Sequence, residues 1–355
     1  MRKLIIGIVI CLAILSSTLA WGAQDPDQGT ATVGEEHQQE KKASQAPVPV
    51  EQGGSLLPFL HLVIEPFFEY DHISSQNVSL SGFTVFEAVL IGQVSVQKIN
   101  RDIFIPGVTI RLGLKDAELN VKLPYYFRTD EYLFPKSGGG TNELVQQNFS
   151  DNAFGDIDSY FYYHALREGT WKPWVPDVIL RVGEHFPTGK DPYHLPLVYD
   201  QALGALVATQ FPTGTGAWGT SIGATFVKSA DPAVLFLNLA YYYNFERDVG
   251  SVNGIDYGDI KLGNSYEYSI GLIFALNERL SMNFALDQRL TTLTLQNGNS
   301  LPGTDLNAVT FNIGATYIVS PRWTVDFVVE LGLTPDAPNV TALLRVPISF
   351  QLGKP

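Results

Sequence analysis

The chain has 355 residues, of which 45% are hydrophobic and 12% aromatic, but only 17% are charged. The formal net charge of −13 argues against a nucleic-acid partner, because phosphate binding needs clustered lysines and arginines. The aromatic content also excludes a chain that is disordered along its whole length.

Residues 1–22 have the three parts of a secretory signal peptide. A positive start is followed by an apolar core of 12 residues (4–15) and then by small residues. The core is shorter than the ~20 residues that a helix needs to cross a bilayer. We therefore predict export, with cleavage after Ala20 or Gly22. Cleavage would remove Cys11, the single cysteine, so we expect neither a disulfide nor a thiolate metal site in the exported chain.

Residues 23–55 are predicted to be a disordered linker. From residue 24 onward this stretch contains no aromatic residue and no Leu, Ile or Met. It cannot bury enough apolar surface to offset the entropy lost on folding. We therefore expect one folded domain, which spans 56–355.

Within this domain, apolar and polar residues alternate along segments of about ten residues. In 118–128 the odd-numbered positions are apolar, whereas the even-numbered ones carry mainly polar groups such as Lys122. The segments 62–71, 323–334 and 340–350 repeat this pattern. A period of two predicts β-strands whose two faces meet different surroundings.

Two architectures fit this pattern: a soluble sandwich, or a transmembrane barrel that turns its apolar face to lipid and its polar face to the lumen. Three features favour the barrel. The segments match the roughly 9–11 residues with which a strand crosses a bilayer. Aromatic residues such as Trp218, Tyr241 and Trp323 stand near the strand ends. Short and long connections both occur, as in outer-membrane barrels.

The strand count follows from these connections, because both termini of such a barrel are expected on the periplasmic side. Alternating short turns with long loops gives an all-β, antiparallel, transmembrane barrel of 12 strands, near 61–72, 101–114, 118–130, 154–167, 177–188, 217–228, 233–245, 265–276, 280–295, 306–319, 323–333 and 340–350. The long loops are then roughly 129–153, 188–216, 246–264 and 296–305. Two apolar stretches, 83–98 and 198–211, are left over. We predict that they are loop hairpins or strand extensions; as membrane strands they would raise the count to 14.

Six short segments, taken in order, resemble a known family. They are LKDAEL (114–119), LPYY (123–126), FGDI (154–157), FPTGK (186–190), KSADP (228–232) and GLTPDAP (332–338). Together they are similar to a bacterial outer-membrane transporter family labelled for the meta-pathway of phenol degradation. The resemblance covers about residues 56–350. It implies a Gram-negative outer-membrane barrel that takes up small organic, including aromatic, compounds, and it supplies no set of binding residues.

The predicted inward faces carry charged and aromatic side chains. By strand parity the candidate lumen-lining residues are Glu65, Glu69, Lys122, Arg128, Asp156, Asp158, Tyr160, Tyr162, Arg181, His185, Asp326, Glu330 and Arg345. Two interpretations remain open at this point. The groups could contact a solute in a pore, or they could form internal ion pairs that fill the barrel.

Acids outnumber bases on these inward faces, which predicts a lumen that prefers neutral or cationic solutes over anions. The excess is greatest on the first and eleventh strands, which lie two places apart in a closed barrel. There Glu65, Glu69, Asp326 and Glu330 could form one acidic patch, which Arg345, on the strand between them, would neutralise in part. The alternative is that Arg345 pairs with one of these acids and the patch is only structural.

The function predicted from the sequence is a channel or transporter in the outer membrane of a bacterium, in contact with lipid and with a small-molecule solute. The alternatives are a plugged structural or adhesive barrel and, less favoured, a lipid-modifying enzyme. We expect no catalytic residue, cofactor or metal site, because His164 and His185 are too few for a metal site and His185 has no partner visible in the sequence. The sequence does not specify the solute, the oligomeric state or the role of the linker.

Overall fold

The computed structural model describes residues 54–75, 98–135, 144–200, 205–252 and 254–353. The predicted signal peptide, nearly all of the predicted linker and the stretch 83–97 lie outside the described residues. Within the described ranges, no helix is both long enough and apolar enough to cross a membrane.

The described residues form strands that run through the whole domain. In chain order they are β1 (His61–Ser75), β2 (Lys98–Leu114), β3 (Ala117–Pro135), β4 (Leu144–Phe154), β5 (Ile157–Leu166), β6 (Asp177–Phe186), β7 (Leu197–Asp200), β8 (Ala205–Ala208), β9 (Gly219–Ala230), β10 (Ala233–Asn244), β11 (Arg247–Val252), β12 (Ile255–Lys261), β13 (Ser265–Ala275), β14 (Leu280–Thr291), β15 (Leu295–Gln296), β16 (Asn299–Ser300), β17 (Leu306–Ser320), β18 (Trp323–Gly332), β19 (Val340–Arg345) and β20 (Ile348–Gln351).

The main sheet closes on itself. Its order is β17-β14-β13-β10-β9-β6-β5-β3-β2-β1-β19-β18-β20, with β4 paired to β3 and with β17 also paired to β18. β4 and β5 both pair with β3 and are two segments of one wall strand, as are β19 and β20, which both pair with β1. The 14 strands of the sheet therefore form a closed antiparallel barrel of 12 wall strands, which confirms the predicted fold class and the preferred count.

The two interrupted wall strands have local causes. Between β4 and β5, the Gly155 N–H donates a hydrogen bond to the carbonyl oxygen of Pro124 at 3.0 Å. A Cβ on Gly155 would lie only 2.3 Å from the ring of Tyr126. Between β19 and β20, Pro347 lacks the N–H that a ladder hydrogen bond requires. The Val346 N–H still donates to β1, at 2.9 Å from the oxygen of Pro66.

The long connections contain additional strands. The left-over stretch 198–211 includes the β7–β8 hairpin, as predicted. The predicted loops 246–264 and 296–305 supply a separate four-stranded sheet, β11-β12-β15-β16. The predicted loop 129–153 is instead mostly strand, because β3 and β4 continue pairing as far as Pro135 and Leu144.

The two ends of the barrel differ. The turn end carries the connections 115–116, 167–176, 231–232, 276–279 and 321–322, together with residues 54–60 and the end of β20. The loop end carries the long connections and the additional sheet. There, Tyr193 packs against Tyr257, Val249 and Ile260. Burial raises the pKa of Tyr193 above its ordinary value, and the Asp191 carboxylate adds to the shift.

The alternation in sequence corresponds to the two faces of the wall. On β3, Leu123 and Phe127 point outward and are 37% and 47% exposed, whereas Glu118 and Arg128 point inward and are buried. Trp323 is exposed on the outer face near the turn end. An apolar outer band with aromatic residues near its edge is the surface that a barrel presents to lipid.

Candidate functional site: the barrel lumen

The turn end of the lumen is narrowed by the segment that precedes β1. The Leu57 backbone N–H donates to Glu118 Oε2 at 2.7 Å, and Leu57 itself is buried. Leu56 packs against Tyr162 and Ile179, both on the inner face of the wall. Residues 54–57 therefore fold into the barrel and occupy part of this mouth.

Two ion-pair clusters sit at the same level of the lumen. Arg111 Nε lies 2.8 Å from Glu118 Oε1, and Arg111 Nη1 lies 3.6 Å from Glu65 Oε2. Arg345 holds Asp326 with Nη2 at 2.5 Å and Nε at 2.8 Å. All of these side chains are buried, so their mutual pairing compensates the desolvation of each charge.

The predicted partial neutralisation of the acidic patch by Arg345 is confirmed for Asp326. Arg345 lies directly across from Asp326 on the neighbouring strand and takes up its charge. A second base, Arg111 on β2, was not predicted at this patch; its Nη1 lies 3.6 Å from Glu65 Oε2. Only Glu69 and Glu330 remain from the predicted patch as acids that line the open part of the lumen.

Near the loop end, one carboxylate serves two arginines. Asp130 is 0% exposed and lies 2.6 Å from Arg101 Nη2 and 2.5 Å from Arg128 Nη2. The Arg128 guanidinium also stacks on the ring of Phe211, 4.2 Å from its centroid. Arg128, a predicted lumen residue, thus holds a loop residue instead of facing open space.

Phe211 belongs to the inward loop, which we define as the described residues 187–200 and 205–218, and parts of this loop fold into the loop end of the barrel. Asp156 anchors it by accepting hydrogen bonds from the backbone N–H groups of Gly189 (2.8 Å) and Thr215 (2.7 Å). A second anchor is Asp151, which lies 2.7 Å from Lys190 Nζ and accepts from the Phe211 N–H at 2.9 Å. These contacts join the loop to the wall at β4 and at the break before β5.

His185 lies between the wall and the inward loop. Its Nδ1 is 2.7 Å from Asp158 Oδ1, and its Nε2 is 2.9 Å from Asp156 Oδ2 and 3.0 Å from Thr215 Oγ1. No partner of His185 is evident from the sequence, because Asp158, Asp156 and Thr215 are 27, 29 and 30 residues away. A hydroxyl, an imidazole and a carboxylate in this order resemble a nucleophile with its base.

Two details argue for a structural role of this group. An imidazole that donates to carboxylates from both nitrogens is charged and cannot accept a proton. The Thr215 hydroxyl has two hydrogen-bond acceptors, Asp156 Oδ2 at 3.0 Å and the Ala217 carbonyl oxygen at 3.1 Å. The group is therefore suited to holding the inward loop.

Between the two narrowed ends lies a cavity of about 500 Å³. Eight of the predicted candidates line it: Glu69, Lys122, Asp156, Asp158, Tyr160, Arg181, His185 and Glu330. The other five, Glu65, Arg128, Tyr162, Asp326 and Arg345, do not line it. Within the described ranges, no group of three or more His, Cys, Asp or Glu side chains could hold a metal ion.

One wall of the cavity combines guanidinium groups with tyrosines. The Arg181 guanidinium lies 5.1 Å from the Tyr160 ring centroid, and its Nη2 donates to the Tyr242 hydroxyl at 2.9 Å. Arg289 lies 4.5 Å from the Tyr242 ring centroid and pairs with Glu267 at 2.7 Å. We call these five residues the guanidinium wall.

Strand parity predicts that the other three members of this wall, Tyr242, Glu267 and Arg289, also face inward, and all three line the cavity. Their mutual stacking had no signal, because it joins β5, β6, β10, β13 and β14 across the curved wall. Asp71 is not among the predicted candidates, although strand parity places it on the inner face of its strand and it lines the cavity.

Comparison with known proteins supports the fold. No family model matches the chain. The structure is similar to an outer-membrane channel from Pseudomonas putida F1, with a TM-score of 0.55 and 14% identity over 85% of this chain and 99% of that one. Weaker similarities, which carry no argument, are to the translocator domain of the autotransporter NalP from Neisseria meningitidis (TM-score 0.44, 11% identity, 81% and 88% covered) and to a TodX monoaromatic hydrocarbon channel mutant (0.42, 12%, 86% and 92%). The chain thus has the fold of a bacterial outer-membrane β-barrel, which agrees with the predicted location.

Proposed function

We propose that the protein is an outer-membrane channel for small organic compounds, aromatic compounds included. The observation that carries this proposal is the cavity of about 500 Å³ inside the closed barrel. Polar groups and the rings of Tyr126, Tyr160 and Tyr242 line it together. Pockets that bind small organic molecules usually have volumes of roughly 300–1,000 Å³, and this cavity falls within that range.

The narrowed ends support a limit on solute size. Residues 54–57 occupy part of the turn end, and the inward loop occupies part of the loop end. Hydrogen bonds and ion pairs hold both obstructions in place. A solute that crosses the barrel must pass both of them, which favours small molecules over large ones.

A filled structural barrel is the second candidate, and the ion pairs favour it. Arg111 with Glu118, and Arg345 with Asp326, bridge neighbouring strands and stiffen the wall whether or not a solute passes. An enzyme receives less support, because both nitrogens of His185 face carboxylates. Purified protein in planar lipid bilayers distinguishes these candidates.

For a channel we expect stepwise ion conductance, together with swelling of proteoliposomes placed in a small neutral solute. A sugar polymer too large for the narrowed ends is the matched control and should cause no swelling. Absence of both conductance and swelling, in protein that migrates as a folded barrel, would contradict the proposal and favour the structural barrel.

A further inference from the structure

Three carboxylates stand together on the side of the cavity opposite the guanidinium wall. Asp71 on β1 and Glu330 on β18 both lie directly across from Thr341 on the strand between them. Glu69 is two positions from Asp71 and points the same way. All three line the cavity, and we call Glu69, Asp71 and Glu330 the acidic wall.

The charge of the acidic wall is matched only in part by the described residues. Lys122 Nζ lies 4.0 Å from Glu69 Oε2, and Arg345 attracts Glu330 at longer range. Asp71 is 1% exposed; its Oδ1 accepts from the Thr341 hydroxyl, but its Oδ2 has no hydrogen-bond partner. Carboxylates removed from water without a partner are costly, so a cation in the adjacent cavity would be stabilising.

Apolar surface borders the acidic wall. Leu343 lies across from Glu69 on β19, and Tyr126 projects from β3; both line the cavity. Both side chains pack against a buried apolar cluster of Phe67, Ile73, Ile103 and Ile105. A ligand at this place therefore meets negative charge on one side and apolar surface on the other.

The other ligand classes fit less well. A carboxylate would be repelled by the acidic wall, and the arginines opposite are already engaged, Arg181 with Tyr242 and Arg289 with Glu267. A bare metal ion lacks a suitable group of ligands among the described residues. An ammonium group with a short apolar body matches both sides of the pocket.

We infer that the cavity binds small apolar amines, with the ammonium group at the acidic wall and the apolar body on Leu343 and Tyr126. This inference names a solute class for the proposed channel and rests on that function. Charge-assisted hydrogen bonds from the ammonium group to the carboxylates would select for a cation, and burial of the apolar body would add affinity.

Isothermal titration calorimetry on the full chain, folded in detergent, tests the inference with three probes of similar size: benzylamine, benzyl alcohol and benzoate. We expect benzylamine to bind at least about tenfold more tightly than benzyl alcohol, since an unmatched charge at this range is worth that factor or more. Benzoate should bind most weakly. Equal affinities for benzylamine and benzyl alcohol would overturn the inference.

Substitution locates the binding. Asp71→Asn with Glu330→Gln should lower benzylamine affinity about tenfold and leave benzyl alcohol unchanged. Asp256→Asn with Asp305→Asn removes the same charge from exposed positions at the loop end and should change neither affinity. The inference is overturned if both double variants weaken benzylamine binding equally, or if neither variant weakens it. If the first pair fails to migrate as a folded barrel, Glu330→Gln alone decides, with a smaller loss of the same sign.

Calorimetry does not depend on conductance, so the two proposals can fail separately. A barrel that binds benzylamine selectively but passes no ions or solutes contradicts the channel alone. A conducting barrel that binds benzylamine and benzyl alcohol alike contradicts the amine site alone.

Discussion

The outer and inner faces of the same strands obey different physical rules. An outward side chain such as Leu123 meets lipid by itself, so its apolar character is sufficient. An inward charge such as Asp326 is stable only with a partner from another strand, here Arg345. The stability of the outer face therefore depends on how apolar each side chain is, whereas the stability of the inner face depends on which side chains pair. Substitutions on the two faces should therefore destabilise the barrel for different reasons.

The largest effect is expected where one inward group serves two partners. Asp130→Asn would leave Arg101 and Arg128 facing each other in a buried site. Breaking a buried ion pair by removing one partner costs about 3–5 kcal/mol of unfolding free energy. Reversible denaturant unfolding in lipid vesicles would measure it.

A matched control exists at the turn end. Asp116 also pairs with an arginine, Arg167, but both side chains are exposed. Asp116→Asn should cost less than about 1 kcal/mol, because exposed pairs are screened by water and salt. If both substitutions cost the same, inward pairing does not stabilise this barrel.

The next effect compares neighbours on β3. Leu123→Arg should cost about 2–4 kcal/mol if the residue lies near the bilayer midplane, and less near either interface. Lys122→Leu, one position away, faces the lumen and should leave membrane insertion intact. Heat-modifiable migration after insertion into vesicles reports both outcomes. Similar behaviour of the two variants would mean that β3 is assigned the wrong register.

We expect release of the inward loop to have a smaller effect on stability but a measurable effect on conductance. Asp156→Asn weakens the hydrogen bonds from Gly189 and Thr215 and should raise the mean single-channel conductance. Gly214→Ala makes the same test without changing charge, since its Cβ would lie 2.3 Å from Asp156 Oδ1. Unchanged conductance in both variants would show that this loop does not limit the passage.

The smallest effect concerns a contact at the turn end. Burial would raise the pKa of Glu168, but hydrogen bonds from Lys228 and Ser229 outweigh it and hold the pKa below the ordinary value of 4.5. Because the folded-state pKa is lowered, this stabilisation is present above pH 4.5 and is lost as pH falls through the folded-state pKa. Lys228→Met should therefore reduce the loss of stability on acidification, by less than about 1 kcal/mol. An unchanged acid limb of the unfolding curve would contradict this role for Lys228.

The same contrast explains what the sequence could predict. Alternation is local, so the outer face of 118–128 and the 12 wall strands were predictable from period and connection length. Pairing inside the barrel is not local. The Leu57 N–H meets Glu118 across 61 residues, and the Thr215 N–H meets Asp156 across 59. No property of either segment alone indicates which partner it will meet, so the inward loop and the divided acidic patch required the structure.

The central claim is that the lumen is an aqueous passage behind a lipid-facing wall. Cysteine labelling with a membrane-impermeant maleimide tests it directly, using Lys122→Cys and Leu123→Cys in a Cys11→Ser background. In vesicles we expect the Lys122→Cys thiol to react and the Leu123→Cys thiol to be protected, since only the first faces the cavity. Both thiols should react once the barrel is unfolded. Protection of both in the folded barrel would contradict an open lumen, and the reverse pattern would contradict the orientation of the wall itself.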